Sequence, residues 1–213
     1  MNYIRCTIIL ILCFTAIKVY AALPINEMPM YGGIKKTDEM KRADAAFIAR
    51  VEKTGYSKES GAEAAVEKAW DFFGKRDFSN AMKRFNQAWL LDPQNGDVYH
   101  GFALVVYQRD NDFLEAERLF RLALSKPKVR VNAYVDYGRF LWLQSRYDES
   151  LVQLNRAIEV SPKANNAYSN ISFVYYKRRD FPQACKWAKA AKDNNDQLEP
   201  GYLEEMCRRA DGK

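Results

Sequence analysis

Four stretches of this 213-residue chain can be laid over one another: KRDFSNAMKRFNQAWLLDP (75–93), DNDFLEAERLFRLALSKP (110–127), QSRYDESLVQLNRAIEVSP (144–162) and RRDFPQACKWAKAAKDN (178–194). Their small residues Ala81, Ala116, Ser150 and Ala184 recur at spacings of 35, 34 and 34. A unit of this size cannot bury its own apolar face, so a period in this range means units that stack. In every stretch an aromatic (Phe78, Phe113, Tyr147, Phe181) stands three residues before the small one, and an alanine (Ala88, Ala123, Ala157, Ala191) seven after it. Seven residues are two helical turns, which puts both small residues on one face and lets a neighbouring helix come close.

Upstream of each stretch runs another amphipathic segment, so every unit reads as helix, tight turn, helix, with antiparallel neighbours. Gly138, inside the first helix of the third unit, costs about 1 kcal/mol against alanine unless its missing side chain is needed. It is expected where the two helices of a pair meet. Pro93, Pro127 and Pro162 mark the ends of second helices, where the ring and the lost amide prevent continuation.

These residues resemble the tetratricopeptide repeat family. The third unit fits its pattern with Tyr134, Tyr137, Gly138, Leu141, Tyr147, Ser150, Leu154, Ala157 and Pro162, and the fourth with Tyr168, Ile171, Ser172, Tyr175, Phe181, Ala184 and Ala191. The first fits in its second helix (Phe78, Ala81, Phe85, Ala88, Pro93) but departs at Ala65 and Ala69. The second has Leu104 where the family usually has glycine, and its proline comes one residue early. The resemblance covers residues 62–195 and implies an all-α solenoid of about four helical hairpins. Residues 98–150 are also similar to the repeats of bacterial type IV pilus pilotins, exported tetratricopeptide proteins that assist outer-membrane secretin assembly.

Four flanking segments complete the chain. Residues 1–21 have the layout of a secretory signal peptide: a basic start at Arg5, an apolar run from Cys6 to Ile17 and small residues before Ala22. The apolar run falls short of the about 20 residues a membrane span needs. A retained anchor and a lipid anchor at Cys13 are the alternatives, although Leu12 is bulky for the residue before a lipoprotein cysteine. Export places the chain in the periplasm. Residues 22–36 read as an extended segment with a turn, and 37–61 as a helix and linker, with Thr37 as N-cap and Gly55 as stop. On that helix Met40, Ala43, Phe47 and Val51 form an apolar stripe. Residues 196–213 read as a capping helix and tail.

The formal net charge is +6, with basic and acidic residues interspersed. Such mixing describes solvated helix faces, and no nucleic-acid partner is expected. Cys185 and Cys207 match no metal pattern, and His100 is the chain's only histidine, so no metal, cofactor or catalytic triad is expected. An oxidising compartment permits a disulfide between the two cysteines; two buried thiols packing as small hydrophobes are the other reading. The chain reads as no enzyme, with no small-molecule substrate.

What the family resemblance implies is a concave wall built from first helices. Carried over, that wall includes Val66, Trp70 and Phe73; Val105, Gln108 and Arg109; Asn132, Val135, Arg139 and Trp142; and Asn166, Ser169, Phe173, Tyr176 and Lys177. Aromatic surface flanked by Arg109, Arg139 and Lys177 suits a helix or extended peptide of acidic or C-terminal character. The expected function is a protein-interaction scaffold of the cell envelope. The alternative is a pilotin-like or other assembly factor that acts as a structural or oligomerising subunit, with residues 23–36 in a neighbour's groove.

Overall fold

The computed structural model describes residues 23–212; the readings made on residues 1–22, the signal segment and Cys13 included, lie outside them. Among the described residues ten α-helices follow one another: α1 (Asp38–Lys53), α2 (Lys58–Gly74), α3 (Phe78–Leu91), α4 (Gly96–Val105), α5 (Phe113–Leu124), α6 (Asn132–Leu143), α7 (Tyr147–Val160), α8 (Ala167–Lys177), α9 (Phe181–Asp193) and α10 (Tyr202–Ala210). Among the described residues there is no strand, only an isolated bridge between Asn95 and Lys128. Helices α2 to α9 pair as four antiparallel hairpins, each stacked on the next.

The eight small residues of the repeat explain the pairing. Ala81, Ala88, Ala116, Ala123, Ser150, Ala157, Ala184 and Ala191 are all fully buried. Gly138 lies against the second helix of its own hairpin: a Cβ there would stand 2.6 Å from Leu154 Cγ. Ser150 uses the same approach to donate from Oγ to the Gly138 carbonyl at 2.7 Å. In the fourth hairpin the roles are exchanged, with Ser172 Oγ donating to the Ala184 carbonyl at 2.8 Å.

Each hairpin turns through one left-handed residue: Arg76 (φ 59°), Asn111 (φ 56°), Ser145 (φ 62°) and Arg179 (φ 60°). The next position starts the second helix. Asp77, Asp112 and Asp180 cap it by accepting the amides of Asn80, Glu115 and Gln183, which satisfies an orphan donor. The third hairpin has Arg146 there and no side-chain cap; that guanidinium instead bridges Glu117 and Glu149.

The spacing of 35 has a local cause. Helix α4 does not end as its counterparts do but continues into a π-turn over Val106–Asp110, the usual way a helix absorbs one extra residue. Everything before that turn is therefore displaced by one position. Ala103, fully buried, takes the place that the repeat pattern gives to glycine, and Leu104 moves out to the concave side.

Residues 23–36 lie along the surface as a strap across their own first hairpin. Two short turns, Ile25–Glu27 and Pro29–Gly33, lie against α3. Asn86, fully buried on α3, donates to the carbonyls of Asn26 (3.0 Å) and Met28 (2.8 Å) and accepts from the Tyr31 amide (3.3 Å). Lys83 pairs with Glu27 at 3.0 Å, and Lys36 lies over the rings of Tyr31 and Trp89. Helix α1 packs on the core through Phe47, Ile48 and Val51, while Met40 is half-buried and Ala43 exposed.

At the other end α10 covers α9. Met206 is buried, and Cys185 is joined to Cys207 by a disulfide with the Cα atoms 4.7 Å apart. The disulfide reading therefore holds and the buried-thiol reading does not.

Candidate functional site

The first helices of the hairpins, α2, α4, α6 and α8, line one side of the stack, and two clefts lie along it. The N-terminal cleft, about 610 Å³, is mostly aromatic and aliphatic: Trp70, Phe73, Leu104, Tyr107, Phe140 and Leu143, with Gln108, Asn111 and Arg76. The C-terminal cleft, about 740 Å³, is more polar: Asn132, Val135, Trp142, Asn165, Asn166, Ser169, Asn170 and Phe173, closed by residues 196–199. Asp136 and Arg139 line both, so the two clefts are continuous.

The electrostatics at this junction are asymmetric. Asp136 Oδ2 shares a 2.8 Å hydrogen bond with His100 Nε2, and His100 is otherwise enclosed by Trp70 and Phe120. The histidine is a satisfied core residue. Asp196 is also spent: its oxygens accept the amides of Asn166 and Ser169, each at 2.9 Å, and so cap α8 from the following linker. Arg139 is exposed and forms no ion pair among the described residues, and neither does Arg76, whose guanidinium lies 5.4 Å from the Phe78 ring. The floor thus carries two cations with no salt-bridge partner, beside the carboxylates of Asp136, Asp196 and Glu199.

The aromatic residues of the C-terminal cleft are held in place. Trp142 Nε1 donates to Asn170 Oδ1 at 2.9 Å, and its ring stacks on Phe173 with centroids 6.2 Å apart. Behind Phe173 stands Tyr202 of α10, 4.6 Å away between centroids. Tyr202 shares a hydrogen bond with Ser172 Oγ at 3.1 Å, and burial pushes its hydroxyl up to about 12.

Ten of the fifteen wall residues named from the family pattern line these clefts: Trp70, Phe73, Gln108, Asn132, Val135, Arg139, Trp142, Asn166, Ser169 and Phe173. Arg109 does not. The π-turn rotates it to the opposite side, where Nη2 donates to the Glu27 carbonyl of the strap at 3.0 Å and the guanidinium pairs with Asp110. Val105 is likewise turned into the core, and Val66 is buried beside a separate hollow. Tyr176 and Lys177 lie outside both clefts, in a third hollow near α10. Leu104, Tyr107 and Asp136 belong to the wall without having been named. The extra residue in the first spacing points to Leu104 and Tyr107, and Asp136 sits three residues before Arg139 on the same helical face.

No protein-family model matches the chain. The type IV pilus assembly protein PilF of Pseudomonas aeruginosa is 23% identical over 158 residues, which span 73% of this chain and 62%, under two thirds, of that protein. The solved structure of Pseudomonas aeruginosa PilF superimposes with a TM-score of 0.64 at 20% identity, covering 74% of this chain and 72% of that one. PilW, described as a widely conserved type IV pilus biogenesis factor, gives 0.58 at 15% identity over 81% and 85% of the two chains. YrrB, a TPR protein with an unusual peptide-binding site, gives 0.55 at 18% over 79% and 85%. The fold is thus the tetratricopeptide-repeat solenoid.

Proposed function

We propose that this chain is a non-enzymatic protein-interaction scaffold of the cell envelope that holds a partner segment along its concave side. The observation that carries this reading is Arg139, an exposed cation without a carboxylate partner, standing where an aromatic cleft and an amide-rich cleft join. A partner segment with an apolar side group beside Trp70, Phe73 and Tyr107 and an acidic one at Arg139 would meet both surfaces. Aromatic and arginine side chains in preformed pockets are the usual anchors of such contacts. The shared fold of PilF and PilW supports an envelope assembly role, and that of YrrB supports peptide binding. No helix among the described residues is long and apolar enough to cross a membrane; the periplasmic assignment rests on the sequence of residues 1–21. Because the strap is engaged by its own chain, the oligomerising alternative calls for a surface other than residues 23–36.

The test compares affinity purification from membranes with wild type, Arg139→Glu and Trp142→Ala as baits, followed by rebinding of the purified candidate partner. Arg139 is exposed and Trp142 only half-buried at the edge of the core, so the helical content seen by circular dichroism should be unchanged. The expected result is at least a tenfold loss of rebinding for Arg139→Glu, the effect of losing one charge-assisted contact and adding repulsion. Equal rebinding by all three baits rejects the groove.

A further inference from the structure

A third hollow, about 460 Å³, opens at the C-terminal end of the stack and is lined by Tyr176, Lys177, Arg179, Phe181 and Arg209. Its walls hold three cations and no carboxylate. Lys177 ends α8, Arg179 is the left-handed turn residue, Phe181 opens α9, and Arg209 reaches in from α10. The Arg209 guanidinium lies 5.2 Å from the Phe181 ring centroid, and Lys177 Nζ lies 5.8 Å from that of Tyr176. Lys177 and Arg209 are thus each poised beside an aromatic ring.

Neighbouring acids do not neutralise this group. Glu205 accepts from Arg209 Nε at 2.6 Å and also serves Arg208, so one carboxylate is shared by two guanidiniums. Asp180 is engaged as the cap of α9. Arg178, between the two lining cations, turns away to Asp148 and the Tyr147 ring. Lys177 and Arg179 form no ion pair among the described residues. Like charges such as Lys177 and Arg179, gathered without a salt-bridge partner of their own, disfavour the compact state, and a bound anion relieves that.

The donors are also fixed in advance. The Cys185–Cys207 disulfide, the buried Met206 and the bond of Tyr202 to Ser172 hold α10 on the last hairpin, and the capped turn holds Arg179. Guanidinium and ammonium donors together match the oxygens of phosphate. The two rings offer a flat apolar surface to whatever carries it.

We propose that this hollow is a binding site for a phosphate group carried on a flat or apolar body, either a soluble phosphoester or an anionic phospholipid. It is separate from the groove and needs no partner there. In the first arm, phenyl phosphate and inorganic phosphate are titrated into the isotope-labelled full chain at constant ionic strength, and amide shifts are followed. The expected result is saturable shifts confined to residues 176–181 and 207–210, with phenyl phosphate bound more tightly than inorganic phosphate. Lys177→Ala with Arg179→Ala should weaken binding about tenfold or more. Lys186→Ala with Lys189→Ala, the same charge change on the exposed face of α9, should leave it unchanged. Neither pair hydrogen-bonds or ion-pairs with α10 among the described residues, and the disulfide remains, so folding should be preserved. In the second arm, flotation with phosphatidylcholine vesicles, with and without phosphatidylglycerol, identifies the source: capture dependent on Lys177 and Arg179 means the lipid, and no capture means the soluble ester. Absence of saturable shifts with phenyl phosphate, or equal losses in the two double variants, overturns the proposal.

Discussion

At Gly101 and Gly138 the fold depends on an absent side chain. A Cβ at Gly101 would stand 2.1 Å from Phe85 Cζ, and Phe85 is fully buried and packed on Trp70 and Phe102. At Gly138 the obstacle is Leu154, also fully buried. Overpacking of this kind costs about 1–3 kcal/mol, more than the about 1 kcal/mol of helix propensity that alanine returns. Gly74, with nothing within 4 Å of its added Cβ, provides the opposite sign. Thermal melts should therefore place Gly101→Ala and Gly138→Ala below wild type and Gly74→Ala at or above it. A second residue-scale effect is electrostatic. Hydrogen bonds from Arg146, with help from Arg121 and Tyr137, hold the Glu117 carboxyl down at about 2, against its ordinary 4.5. Because the folded value is the lower, this contribution is fully present above pH 4.5 and is lost as the pH falls toward 2. Glu117→Gln should be less stable than wild type at neutral pH, and the gap should close over that acid window in denaturant titrations; a constant gap would mean that packing rather than charge is responsible.

Among the elements, the strap and the π-turn show what a sequence reveals and what it conceals. The hairpins were legible because the pattern of small residues, aromatics and prolines states which faces meet. The π-turn was legible only as a number: Ala81 to Ala116 is one residue longer than the other spacings. Without the shift it imposes, Arg109 and Val105 are assigned to the wall in place of Leu104 and Tyr107. The strap's turn was legible but its attachment to α3 left no pattern, since Asn86 holds it through main-chain groups of Asn26, Met28 and Tyr31, and main-chain recognition is indifferent to side-chain identity. That same indifference gives a sharp expectation. Asn86→Ala removes all three bonds, and losses of about 1 kcal/mol for each are typical. Hydrogen exchange at Met28 and Tyr31 should accelerate strongly and the melting point should fall by several degrees, while the amide spectrum of α6–α9 stays in place. A variant in which the strap remains protected would show that the Lys36 contacts with Tyr31 and Trp89, rather than Asn86, hold it.

Over the whole molecule, the core is not one body but a graded series. The largest apolar assembly runs from α2 to α6 through Phe85, Phe102, Phe120 and Phe140; a smaller one joins α6, α7 and α8 through Val135, Leu154, Ile171 and Val174; the last holds Ala184, Cys185 and Met206. Helix α6 belongs to both of the first two, giving Tyr137, Phe140 and Leu141 to one and Val135 to the other. A stack whose units touch only their neighbours opens from its weaker end, because stability is the sum of unit and interface contributions. The small terminal core cannot match the aromatic assembly by burial, so the disulfide supplies what packing does not, by limiting how far α10 can separate from α9 when it opens. Native-state hydrogen exchange of the oxidised chain should therefore show the slowest amides in α3–α5 and progressively faster ones toward α9. Reduction of Cys185–Cys207 should release α10 first. Its amides and those of α9 should then exchange together and the contact of Tyr202 with Phe173 should loosen, while protection in α3–α5 is unaltered. If every helix instead exchanges at one common rate, before and after reduction, the four hairpins form a single cooperative unit and the disulfide adds nothing to the end of the groove.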